Sequence, residues 1–137
     1  MTAWCHGAPG VALARMEARG MLSDAPLREE LEIALGTTLS ASLGGPHHLC
    51  CGTLGRIDIL LSGGLRLGRG ELLTSALNRV AGLLIGVGPE EVRAVRPASI
   101  GLFTGWAGIA YELLRVAQPE SLPSLLSFDP PRGVAAC

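Results

Sequence analysis

Three Gly-x-x-Gly steps, Gly7 to Gly10, Gly52 to Gly55 and Gly105 to Gly108, each lead into an apolar run. They start 45 and then 53 residues apart. Spacings of that size fit a chain of helical hairpins, in which each hairpin buries its apolar face against the next. Glycine at a helix start lets the first turn come close to neighbouring backbone or to a ligand. No segment shows the alternating pattern of a half-buried strand.

Between the glycine steps lie two longer helical patterns. From Asp24 to Leu43, apolar residues fall at Leu27, Leu31, Ala34, Leu35, Leu39 and Leu43, with Arg28, Glu29, Glu30 and Glu32 opposite. Asp24 suits the N-cap, Pro26 the first turn, and Gly44-Gly45-Pro46 a stop. The second pattern runs from Gly70 to Val87, with a stripe of Leu72, Leu73, Ala76, Leu77, Val80, Leu83, Leu84 and Val87, and ends at Gly88-Pro89. The glycine-started helices are shorter and less polar, over Val11–Ala18, Arg56–Ser62 and Trp106–Ala117. The last carries Trp106, Ile109, Ala110, Leu113, Leu114 and Ala117 at helical spacing. Short apolar helices alternating with amphipathic ones predict an all-α fold in two layers, an inner ring of buried helices and an outer ring facing water. Residues 90–99 read as a loop, and the tail from Pro119, with Pro123, Pro130 and Pro131, as extended and non-helical.

Composition narrows the function. A formal charge of −1 offers no basic footprint for nucleic acid. All the cations are Arg, so no Lys is present to meet a phosphate, and the glycine steps do not read as phosphate loops. The hydrophobic fraction is 48% with only 4% aromatic residues, so Leu, Ile, Val and Ala must build the core. The longest apolar candidate for a membrane span, Val80 to Gly88, falls well short of the roughly 20 residues a span needs. The N-terminus lacks the basic and apolar regions of a signal peptide, which predicts a cytoplasmic protein with reduced thiols.

The cysteines then carry the chemistry. Trp4-Cys5-His6-Gly7 and Leu49-Cys50-Cys51-Gly52 each place thiols immediately before a glycine-started helix. A helix N-terminus bears partial positive charge and free N–H groups, which favour thiolate. Three thiols from two distant stretches read as ligands for one soft metal ion, zinc. Taken alone, Cys50-Cys51 is also compatible with a buried apolar pair.

These residues resemble the lanthionine synthetase C-like family, the cyclases that make thioether rings in peptides. Trp4-Cys5-His6-Gly7-x-Pro9-Gly10 is similar to the family's first zinc motif. Leu49-Cys50-Cys51-Gly52 is similar to its second, and Gly101-Leu102-Phe103-Thr104-Gly105-x-Ala107-Gly108-Ile109 to its C-terminal glycine motif. The Pro123-Ser124-Leu125-Leu126 tail resembles the end of class II lanthipeptide synthetases, in which the cyclase follows a dehydratase. The likeness spans residues 1–131, leaving 132–137 as a flexible tail.

The resemblance implies a partial α/α toroid, an arc of about three inner and two outer helices. It implies zinc held by Cys5, Cys50 and Cys51, a dehydrated precursor peptide as substrate, and addition of a Cys thiolate to dehydroalanine or dehydrobutyrine. One position departs from the common pattern: Cys51 stands where the family usually has His. Three thiolates leave the site at −1 rather than neutral, which weakens Lewis acidity and predicts a more nucleophilic bound sulfur with less substrate selectivity.

His6 is the expected proton-transfer residue, since an unperturbed imidazole titrates near 6.5. A supporting or solvent-facing role for it stays open. His47 and His48 read as loop or helix-start contacts, and Cys137 as a free thiol. Trp4 and Trp106 read as core or rim residues, and Arg56, Asp58 and Glu112 as ion-paired or solvated. The toroid needs further hairpins, so the chain reads as a C-terminal piece, with the missing dehydratase or cyclase segments supplied by another chain. A zinc-binding remnant without turnover and a peptide-binding scaffold remain as alternatives.

Overall fold

The computed structural model describes residues 1–18, 25–86 and 100–129. They form a short 3-10 turn at Trp4–His6 and five helices: α1 (Ala8–Glu17), α2 (Ala25–Ser40), α3 (Thr53–Leu67), α4 (Gly70–Gly86) and α5 (Trp106–Ala117). No strand occurs among the described residues. The all-α expectation therefore holds.

The centre of the molecule is α3. It is buried without a break from Thr53 to Gly64, while α2 and α4 each bury only part of their surface. Leu54, Ile57, Ile59, Leu60 and Leu61 are all at most 1% exposed. At about 1.5–3 kcal/mol for each fully buried side chain, this helix dominates the apolar core. Around it pack α1, α2, α4 and α5.

α3 is longer than the pattern over Arg56–Ser62 predicts, because Gly63-Gly64 does not end it. Packing overrides propensity here. A Cβ at Gly64 would stand 2.5 Å from Leu73 Cγ, and one at Gly63 3.1 Å from Leu72 Cδ1. The glycine pair therefore lets α4 lie against α3. The helix stops instead at Gly68, whose φ of 67° is left-handed and whose N–H bonds Gly64 O.

α2 stops at Ser40, short of Leu43. Arginines rather than glycines take the carbonyls at its end and just beyond. Arg79 donates to Leu39 O and to Ala41 O, and Arg56 donates to Ser42 O. Of the α4 stripe only Leu72, Ala76 and Val80 are fully buried; Leu77 and Leu84 are 50% and 61% exposed.

α5 corrects its predicted face. Of the predicted stripe, Ile109 and Leu113 pack half-buried against the core and Trp106 and Leu114 are exposed, while the fully buried positions are Gly108, Glu112, Arg115 and Val116. The reason is a buried ionic cluster. Arg115 pairs with Asp58 of α3 at 2.5 Å, donates to Ser62 Oγ at 3.0 Å, and lies 3.6 Å from Glu112. Ser124 Oγ donates to Asp58 at 2.6 Å. That bond fastens the tail, which from Pro119 to Asp129 folds in turns with Leu126 in the core, rather than running extended. Burial and the neighbouring Asp58 push the Glu112 carboxyl well above the usual range, with Arg115 opposing.

The Asp24 cap, Val87, the Gly88-Pro89 stop, the 90–99 loop, the 132–137 tail and Cys137 lie outside the described residues. Among the described residues, no helix is long and apolar enough to cross a membrane.

Candidate metal centre

α1, α3 and α5 begin alike. Each takes an extended glycine as N-cap, Gly7, Gly52 or Gly105, without a side-chain cap. One turn later the second glycine of each step faces a backbone carbonyl six residues earlier. A Cβ there would sit 2.0 Å from Trp4 O at Gly10, 1.9 Å from Leu49 O at Gly55, and 1.7 Å from Leu102 O at Gly108. No side chain fits, so each loop folds back over the start of its own helix. The residue after the carbonyl is Cys5 in the first loop, Cys50 in the second and Phe103 in the third.

Backbone bonds join the three loops into a ladder. Trp4 N–H donates to Cys50 O at 3.1 Å, and Cys50 N–H donates to Phe103 O at 2.9 Å. The Trp4 and Phe103 rings stack in parallel, 5.7 Å between centroids. Thr53 N–H closes the second loop on Pro46 O at 2.9 Å.

This ladder brings the sulfurs together. Cys5 Sγ lies 3.2 Å from Cys51 Sγ, and Cys51 Sγ lies 3.4 Å from Cys50 Sγ. His6 Nδ1 lies 2.9 Å from Cys5 Sγ. The ligand atoms of Cys5, His6 and Cys51 all fall within 4.8 Å of one another. Cys5 and His6 are exposed; Cys50 and Cys51 are half-buried.

The thiols differ in acidity. Hydrogen bonds from Cys51 first, then from His6 and Cys50, hold Cys5 down to about 7. Burial, with the Cys5 and Cys51 sulfurs beside it, pushes Cys50 up to about 12. The thiol of Cys51 is also raised, chiefly because it donates to Cys5.

The donor set suits a soft ion. Sulfurs sharing a tetrahedral zinc stand about 3.8 Å apart, so the Cys5–Cys51 and Cys51–Cys50 pairs need to spread by only about half an ångström, although Cys50 stands outside the group that Cys5, His6 and Cys51 form within 4.8 Å.

Of the other residues singled out by sequence, His48 accepts the Cys51 N–H through Nδ1 at 3.3 Å, a contact at the start of α3. His47 buries its Nδ1 and is not part of the cluster. Trp4 packs against the core and stacks on Phe103, while Trp106 is exposed. Sequence reasoning missed Phe103 as a structural member of the centre. Phe103 precedes Gly108 by the same step that separates Cys5 from Gly10 and Cys50 from Gly55, and that shared register was the available signal.

A family model described as lanthionine synthetase C-like protein matches residues 1–127. No curated protein and no solved structure matches the chain. With nearly the whole chain covered by that match, it belongs to the lanthionine synthetase C-like family.

Proposed function

We propose that the chain is the zinc-bearing portion of a peptide cyclase that forms lanthionine or methyllanthionine. In this reading Cys5, Cys50 and Cys51 hold zinc, His6 moves the proton, and the helices are an arc of a double-layered toroid. The observation that carries it is the 3.2 Å approach of Cys5 Sγ to Cys51 Sγ across 46 residues, with Cys50 beside them.

Bound zinc would lower the pKa of a substrate thiol so that thiolate forms near neutral pH. The chain's own part is to place and protonate. The loop ladder fixes the thiolates on one side of an exposed surface. A dehydrated peptide offers its cysteine sulfur there, and the sulfur adds to the β-carbon of a dehydroalanine or dehydrobutyrine. The double-bond electrons move to the enolate, and the α-carbon takes a proton from the His6 imidazolium. His6 is exposed and adjacent to Cys5, so its ring can reach the same face.

A peptide in the cytoplasm, where thiols stay reduced, suits this chemistry. The exposed Ile33, Leu84, Ile85 and Leu114 favour association with further helical segments on another chain.

The test is metal content of the purified protein, native and with Cys5→Ala, Cys50→Ala or Cys51→Ala. One zinc per chain, lost in each variant, is expected. Metal retained after all three changes together would end the reading. Turnover is followed by alkylating the free thiols of a dehydrated peptide, with and without the segments that precede this one in larger cyclases; thiols should disappear only with zinc-loaded protein.

A further inference from the structure

The zinc reading leaves one coordination position to solvent or substrate, yet His6 stands in the tight group with Cys5 and Cys51, while Cys50 Sγ reaches that group through Cys51 at 3.4 Å. The loops present them in pairs. Cys50-Cys51 precedes Gly52, and Cys5-His6 precedes Gly7 in the same relation to helix and glycine step. His6 therefore occupies in the first loop the slot that Cys51, a proposed ligand, occupies in the second. Its Nδ1 already lies 2.9 Å from Cys5 Sγ, and the ligand atoms of Cys5, His6 and Cys51 form one group within 4.8 Å.

We infer that His6 Nδ1 is a displaceable fourth ligand, completing a site of three sulfurs and one nitrogen at rest and yielding its place to an incoming thiol. This rests on the zinc reading above. Sulfur and nitrogen on one tetrahedral zinc stand about 3.5 Å apart, so the Cys5–His6 pair must open by about 0.6 Å. His6 is exposed on the 3-10 turn, so its ring has room to swing in or out.

The exchange balances. On exchange the incoming thiol's S–H bond would break, its proton would leave to the freed nitrogen or to water, and its sulfur would take the position the nitrogen vacates. No oxidant or further reactant is needed.

The experiment is zinc X-ray absorption on the full chain, with N-acetylcysteine methyl ester as the thiol probe. The expected result is three sulfurs and one imidazole in the native protein, with the imidazole scattering lost in His6→Ala while zinc stays at one per chain. Adding the probe should convert both proteins to four sulfurs. Three sulfurs with one oxygen in the native protein, unchanged by His6→Ala, overturns the His6 assignment and leaves the three-thiolate site standing. Fewer than three sulfurs in the native protein overturns both. The native spectrum decides by itself, so the outcome does not depend on how well the variant folds.

Discussion

Replacing Gly55 with Ala tests whether the glycine steps, rather than the cysteines alone, build the centre. The added Cβ would lie 1.9 Å from Leu49 O, where ordinary contact begins near 3.4 Å. Something must therefore move by about 1.5 Å, taking the difference between those two distances. No side chain can absorb it, because the atom struck is backbone and Leu49 is fully buried. α3 is packed on every side at this point, so the loop moves, and the loop carries Cys50 and Cys51. Metal–ligand distances tolerate about 0.2 Å, several times less than the shift. Overpacking of this kind costs about 3 kcal/mol, and misplaced ligands should weaken zinc by about 10–100-fold. The assays are urea unfolding of the metal-free chain and zinc competition against a chromophoric chelator. Gly36→Ala is the control: its Cβ meets nothing within 4 Å, so it should stabilise α2 by about 0.5–1 kcal/mol and leave zinc affinity alone. A Gly55→Ala protein that unfolds at the native urea concentration and holds zinc equally well would refute the reasoning.

Three further outcomes are expected. Zinc binding should release protons, because ligand thiols must ionise. With Cys5 held near 7 and Cys50 and Cys51 raised, log affinity should climb with a slope of about 2.5 at pH 7 and ease at higher pH as Cys5 ionises; a slope near 1 at pH 7 would contradict the three-thiolate site. Glu112→Gln should change the pH dependence of folding. The native carboxyl is raised when folded, so the stability it contributes is complete below about 4.3 and is lost as pH rises toward its folded value. The variant should therefore match the native chain near pH 4 and exceed it at pH 8 in thermal unfolding, and equal stabilities at both would count against a buried neutral acid. Cys51→His removes one thiolate charge, so ring formation should slow and discriminate more between dehydrated peptides; unchanged rates across a peptide panel would contradict the charge argument.

Sequence reading worked where short-range chemistry decides. The three glycine steps mark the starts of α1, α3 and α5, and the first two bring Cys5 Sγ beside Cys51 Sγ. It failed where tertiary contacts choose between faces. The leucines of α5 form a sound helical stripe, yet Glu112 and Arg115 turn inward because Asp58 and Ser62 of α3 wait opposite. Nothing local distinguishes an arginine bound for a buried carboxylate from one bound for water. The same holds for Gly63-Gly64, where glycine looks like a helix stop and instead makes room for Leu72 and Leu73.

The glycine steps show how a cluster of thiols is built on a structural repeat. All three loops fold back to set a carbonyl against a glycine, and that backbone fit is needed whether or not the loop carries donors. Two of the loops then place thiol or imidazole side chains at the next two positions, Cys5-His6 and Cys50-Cys51, while the third places Phe103 and Thr104 there. The third loop still contributes: Phe103 O holds Cys50 N–H, and its ring stacks on Trp4, the residue before Cys5. It thus positions both donor loops from a point where it has no donor of its own. The strongest constraint on the sulfur positions is consequently backbone geometry set by glycines, and the cysteines fill places that the repeat has already built.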